Sequence, residues 1–128
     1  MGHLLGNAVR FGQPGDIMAA GEGIETMLSL LSLLPDLPMA AGLSAAHLAA
    51  IAFPPTMRRL YILRDNDAAG DFAEKRLIER CREAGIEARI LRPCGKDLNA
   101  DLCSHPADMV KTRMLAQLAP EDSRRFRG

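Results

Sequence analysis

The chain reads as an α/β fold: about four strands in a parallel sheet, flanked by helices. Three observations predict it. Short apolar runs alternate with longer amphipathic segments, which implies crossover connections and a parallel sheet. The amphipathic segments carry apolar residues at helical spacing, as in Ile24, Met27, Leu28 and Leu31. Prolines and glycines punctuate the ends of these segments, where helices stop.

The elements follow in order. Asp16–Ala20 is a short apolar run and the first strand. After Gly21-Glu22-Gly23, Ile24–Leu34 predicts a helix. Leu30, Leu33 and Leu34 widen its stripe, so it is expected to be largely buried, and Pro35 and Pro38 end it. Pro38–Ala41 predicts a second strand, short and alanine-rich. Gly42 turns the chain, and Ser44 caps a short helix through Ala52 that Pro54-Pro55 breaks. Arg59–Arg64 is the third strand and the best defined. Ala69, Ala73, Leu77 and Cys81 recur every four residues, giving an amphipathic helix that stops at Gly85. Ile86–Leu91 predicts a fourth strand, Pro93–Lys96 a turn, and Ala107–Leu118 a last helix. Glu121–Gly128 reads as a charged, frayed tail. The expected organisation is an N-terminal extension (1–15), one domain (16–105), and a C-terminal helix and tail (106–128).

Composition narrows the function classes. At 128 residues the chain fits one domain, and 48% hydrophobic with 25% charged residues is ordinary for a globular protein. Lys plus Arg equals Asp plus Glu at 16 each, so the formal net charge is zero. A domain gripping nucleic acid alone is normally basic, so if this one acts on nucleic acid, other domains do most of the holding. The longest apolar run, around Met27–Leu34, is too short to span a membrane, and Met1–Leu5 lacks the regions of a secretory signal. Cys81, Cys94 and Cys103 are odd in number and show no C-x-x-C spacing, which favours free thiols and a cytoplasmic protein.

The most informative stretch is Leu60–Gly70, where an apolar strand runs into Asp65 and Asp67 and then into small residues opening a helix. Two carboxylates so close raise each other's pKa unless a cation neutralises them, and a hard divalent cation takes such oxygens. In a parallel sheet every strand ends on the same edge, where ligands bind. That edge would gather Gly21, Glu22 and Gly23, then Gly42 and Ser44, then Asp65 and Asp67, then Gly95, Lys96, Asp97 and Asn99. Taken singly, Asp65 and Asp67 could cap a helix and fill a turn, and Lys96-Asp97 could be a surface turn. Glu25 reads as a solvated first-turn residue. An EF-hand starting at Asp65 fails because Ala69 and Arg76 stand where oxygen ligands are needed. A dehalogenase-type nucleophile would want Thr or Ser soon after Asp67, where Ala68-Ala69-Gly70 stands instead. The spacing of His47, Cys94, Cys103 and His105 does not suit zinc.

Gly21-Glu22-Gly23-Ile24-Glu25-Thr26, Asp65-Asn66-Asp67-Ala68-Ala69-Gly70 and Gly95-Lys96-Asp97-Leu98-Asn99, in this order, resemble the Toprim domain. That domain is shared by bacterial and phage primases, topoisomerases and several nucleases. The resemblance is closest to primase-like proteins of plasmids, phages and other mobile elements, and covers residues 16–105. It implies a Rossmann-like Toprim fold and Mg²⁺, with Mn²⁺ as an alternative. It assigns Glu22 as acid or base and metal ligand, and Asp65 and Asp67 as catalytic metal ligands. It places Lys96 and Asp97 at nucleotide phosphate or metal. Gly21 and Gly23 would let backbone approach a phosphate. Many primases have an aspartate four residues after the glutamate; here that position is Thr26, with Glu25 beside it.

The function this implies is Mg²⁺-dependent nucleotidyl transfer, making primers on a DNA template from nucleotides as part of a larger primase- or helicase-like protein. Competing readings are a Toprim nuclease, a non-catalytic nucleotide- or nucleic-acid-binding module, and a receiver-like phosphoacceptor domain.

Overall fold

A computed structural model describes residues 4–5 and 8–128; of Leu4, Leu5 and Ala69 it describes the backbone alone. The sequence expectations for Met1–Leu5 and for the Ala69 side chain therefore lie outside the described residues. Six strands form one sheet in the order β1-β2-β4-β3-β5-β6. They are β1 (Leu4–Leu5), β2 (Ala8–Phe11), β3 (Ile17–Gly21), β4 (Met39–Ala41), β5 (Arg59–Leu63) and β6 (Glu87–Leu91). The four strands expected from sequence are β3 to β6, and their pairings with one another are parallel. The addition is β2, which pairs antiparallel with β4, and β1, which pairs antiparallel with β2.

Among the described residues six helices cover the sheet: α1 (Ile24–Leu33), α2 (Ala45–Ala49), α3 (Ala68–Ala84), α4 (Leu98–Ser104), α5 (Ala107–Gln117) and α6 (Pro120–Arg125). Every residue of β3, β4 and β5 is buried, as strands covered on both faces must be. Alternate residues feed two cores. Ile17, Ala19, Met39, Tyr61, Leu63 and Leu91 pack with α1, α5 and Phe126. Met18, Ala20, Ala40, Leu60 and Ile62 pack with Leu48 of α2 and with Ala73, Leu77 and Cys81 of α3.

Several expectations are corrected. In α1 the buried stripe is Met27, Leu30 and Leu33 with Thr26 and Ser29, whereas Ile24 and Leu28 are 40% and 45% exposed. With leucine on every side, periodicity alone does not select the face that meets the sheet. The short helix α2 stops at Ala49 rather than Ala52. The turn after β6 leads into α4, and the supposed frayed tail is α6, with Asp122 and Phe126 buried. Arg125 is not merely solvated: it pairs with Asp16 at 3.0 Å and lies over the Phe126 ring.

All three cysteines are free thiols; Cys81 is buried, and that burial pushes its pKa up to about 11. Among the described residues no helix is long and apolar enough to cross a membrane.

Candidate functional site

Four helices begin where the parallel strands end. Ser44 caps α2, accepting from the His47 N–H at 3.1 Å. Asp67 caps α3, accepting from Gly70 N–H at 2.8 Å, and Asp97 caps α4, accepting from Ala100 N–H at 2.7 Å. Of these four, α1 begins without a side-chain cap: its N-cap is Gly23, in extended backbone conformation. Its first-turn N–H groups therefore face the edge with no side-chain cap, although exposed Glu25 lies in the same turn.

Glu22 lies in the turn between β3 and α1, half-buried. Burial raises its pKa first, and Asp67 and Asp65 then add like-charge repulsion. Asp65, just past β5, is also raised: burial comes first, then Asp97 and Asp67. Against these, a hydrogen bond from Thr26 and the charge of Lys96 favour its ionised form. The structure thus brings Glu22, Asp65, Asp67, Lys96 and Asp97 within electrostatic reach on one edge. Among the described residues, however, no three His, Cys, Asp or Glu side chains stand close enough together to hold a metal ion between them. Asp67 and Asp97 each also commit an oxygen to a helix cap. The oxygens left over suit an open site, since Mg²⁺ takes one or two carboxylates and completes its shell with water and substrate phosphate. Hard oxygen donors also fit Mg²⁺ or Mn²⁺ better than softer metals.

The two glycines of the first turn differ. A Cβ on Gly21 would meet Met27 Sδ at 2.4 Å and the Leu63 carbonyl at 3.0 Å, so packing alone accounts for glycine there. Gly23 meets only Thr26 Oγ1, at 3.7 Å. Thr26, at the position where many primases have an acid, is buried and donates to Asp65 Oδ1 at 3.4 Å. Glu25 is exposed on α1 and is not among the groups that shift Asp65 or Glu22.

Sequence reasoning missed two residues that assemble this edge. Asn66, between the two aspartates, donates its side-chain N–H to the Gly95 carbonyl and its backbone N–H to the Lys96 carbonyl at 2.9 Å. This ties the acidic turn to the lysine turn. Asp101, buried in α4, accepts from the N–H groups of Cys94 at 2.6 Å and Gly95 at 2.8 Å, folding that turn from behind. No sequence signal marks the Asn66 contact, which joins residues 29 apart. A buried acid six residues beyond a glycine turn is a faint signal at best.

Comparison with known proteins finds no match among curated sequences. Among solved structures, the fold is similar to the zinc-binding and RNA polymerase domains of the Aquifex aeolicus primase, with a TM-score of 0.57 and 21% identity. It is also similar to the primase fragment of the bacteriophage T7 primase-helicase protein, with a TM-score of 0.60 and 16% identity. A third likeness is to a bacteriophage T7 lagging-strand DNA polymerase structure containing primase domains bound to an RNA/DNA hybrid and dTTP, with a TM-score of 0.55 and 17% identity. These likenesses cover 80%, 85% and 88% of this chain, but it spans only 26%, 48% and 62% of theirs. At such identities the likeness is one of fold. The family model described as "Toprim domain" matches residues 17–108, which includes both the Glu22 turn and the Asp65–Asp67 turn, and the chain therefore belongs to the Toprim domain family.

Proposed function

We propose that this chain is the catalytic Toprim module of a primase-like protein, joining nucleotides on a DNA template. The observation that carries the reading is the meeting of Glu22, Asp65 and Asp67 on one sheet edge, where burial and then Asp67 and Asp65 raise the pKa of Glu22, and burial and then Asp97 and Asp67 raise that of Asp65. Carboxylates that repel one another at an open edge favour a divalent cation, and Mg²⁺ or Mn²⁺ held by one or two of them, with water and substrate phosphate completing its shell, would supply charge neutralisation at the attacking and leaving oxygens.

The chain's own groups would do the rest. Glu22, whose pKa burial and then Asp67 and Asp65 raise, would serve as the acid or base. Lys96, with Asp97 beside it, would contact phosphate as a point charge. The uncapped N-terminus of α1, reached through Gly21 and Gly23, would favour a second phosphate oxygen through its N–H groups. Residues 16–105 would form the catalytic unit, with 106–128 bracing it. The zero net charge leaves most of the template grip to further domains of a larger cytoplasmic protein.

The test is a calorimetric titration of Mg²⁺ and Mn²⁺ on the wild type and on Asp65→Ala/Asp67→Ala, followed by incubation with single-stranded DNA and nucleotides. Saturable binding lost in the double variant, with primers as product, supports the reading. Strand cleavage without primers would replace it with a nuclease. Equal, negligible metal binding with and without nucleotide would overturn it.

A further inference from the structure

Arg64 follows the last residue of β5 and immediately precedes the acidic turn. Its side chain is only 9% exposed, because it folds across the turn instead of extending into water. Nε donates to the Asp65 carbonyl at 3.2 Å, and Nη2 donates to the Asp67 carbonyl at 2.9 Å. Nη1 pairs with Asp71 at 2.7 Å and Glu74 at 3.0 Å, both on α3. One guanidinium thus grips the backbone of both aspartates on one side and anchors to a long helix on the other. Gly70 gives it room: a Cβ there would stand 3.1 Å from the Asp65 carbonyl and 3.4 Å from Arg64 Nη2.

The charge of Arg64 is answered by Asp71 and Glu74, and the cation that lowers the Asp65 pKa is Lys96. Its contribution is therefore geometric. Metal ligands need outer partners to fix their orientation, and a planar fork with five donors can hold two carbonyls and two carboxylates at once where an ammonium cannot.

We infer that Arg64 is the positioning residue of the acidic turn, holding the Asp65 and Asp67 backbone so that their carboxylates are preset for a divalent cation. This rests on the proposed function only for the cation; the brace itself is a property of the turn.

The experiment compares the wild-type chain, Arg64→Lys and Gly70→Ala by Mn²⁺ titration, thermal unfolding and amide hydrogen exchange. In Arg64→Lys, Mn²⁺ affinity should fall about tenfold or more. Exchange should quicken at the Asp67 and Gly70 amides, which are bonded within the turn, and stay unchanged at the Ala119 amide at the far end of the sheet. Gly70→Ala should show a smaller loss of Mn²⁺ affinity while thermal stability holds or rises, since alanine favours a helix. A purely structural arginine would not give that split. Wild-type Mn²⁺ affinity and wild-type turn exchange in Arg64→Lys would overturn the inference; if that variant does not fold, the same result in Gly70→Ala overturns it. Absent Mn²⁺ binding in the wild type would sink the metal reading, and the exchange data would still decide whether Arg64 braces the turn.

Discussion

The two ends of the parallel sheet treat charge in opposite ways. At the amino end, Arg59 pairs with Asp122 at 2.7 Å, Glu121 at 3.0 Å and Glu87 at 3.2 Å. The Tyr61 hydroxyl donates to the same Asp122 and accepts from the Ala119 N–H. Burial works against the Arg59 charge, yet these acids hold its pKa above the ordinary value. Tyr61 is pushed up to about 12 by burial and by its bond to Asp122. At the carboxyl end Glu22, Asp65, Asp67 and Asp97 face one another, with Lys96 as the cation acting on Asp65. Where charges are answered inside the chain they hold the fold; where they are left facing one another they are available to something outside it.

The contrast can be broken most severely at the amino end. Asp122→Ala should cost about 3–5 kcal/mol in denaturant unfolding, because it leaves Arg59 buried and short of its closest partner. Next, Asp65→Asn should reduce templated synthesis on the order of a hundredfold or more. Its unfolding midpoint should hold or rise, since a repelled carboxylate is removed. A comparable loss of stability in both variants would erase the distinction between the two ends. Tyr61→Phe should cost about 1–3 kcal/mol, measured in the same way, because it orphans the buried Ala119 N–H.

The smallest effect separates the ends by the sign of their pH response. Glu22 and Asp65 have raised pKa values, so the folded state binds protons more tightly there than the unfolded chain does. Their contribution is fully present below the unfolded pKa and is lost as pH rises through the folded one, so mild acid relieves this end. At Asp16, burial pushes upward, but bonds from Arg58 and Arg125 outweigh it and hold the pKa low. Its contribution is present above the unfolded pKa and fades as pH falls through the depressed one. Unfolding midpoints of Glu22→Gln/Asp65→Asn, followed from neutral to acidic pH, should lose the relief and keep the decline.

What sequence revealed follows from the range of the forces involved. The strands β3 to β6 and their polar ends were legible because buried parallel strands are apolar runs bounded by turns, a local pattern. The strand β2 was not, because Ala8–Phe11 is stabilised by pairing with β4 some thirty residues on. The helix α4 is seven residues long and held by the Asp97 cap and the burial of Leu98 and Asp101, too little for a periodic signal. The helix α6 did carry one: Pro120 at its start, Glu121 and Asp122 in the first turn, Arg124 and Arg125 in the last. Its charge density made it look like a tail. At the site, residue types were readable, whereas the Asn66 tie and the shared oxygens of Asp67 depend on tertiary geometry.

The Asp122 contact also bears on the order in which the molecule is completed during synthesis. Every residue assigned to the candidate site, Asp101 included, and the last strand of the sheet lie before residue 102. Two of the three acidic partners of Arg59, Glu121 and Asp122, and both partners of the Tyr61 hydroxyl arrive only with residues 119–122. A nascent chain can therefore lay down the whole catalytic edge while the opposite edge still lacks its carboxylate. Ribosome-bound chains released before Ala119 should carry the site on an unfinished sheet, and this lock closes only once residues 119–122 have emerged.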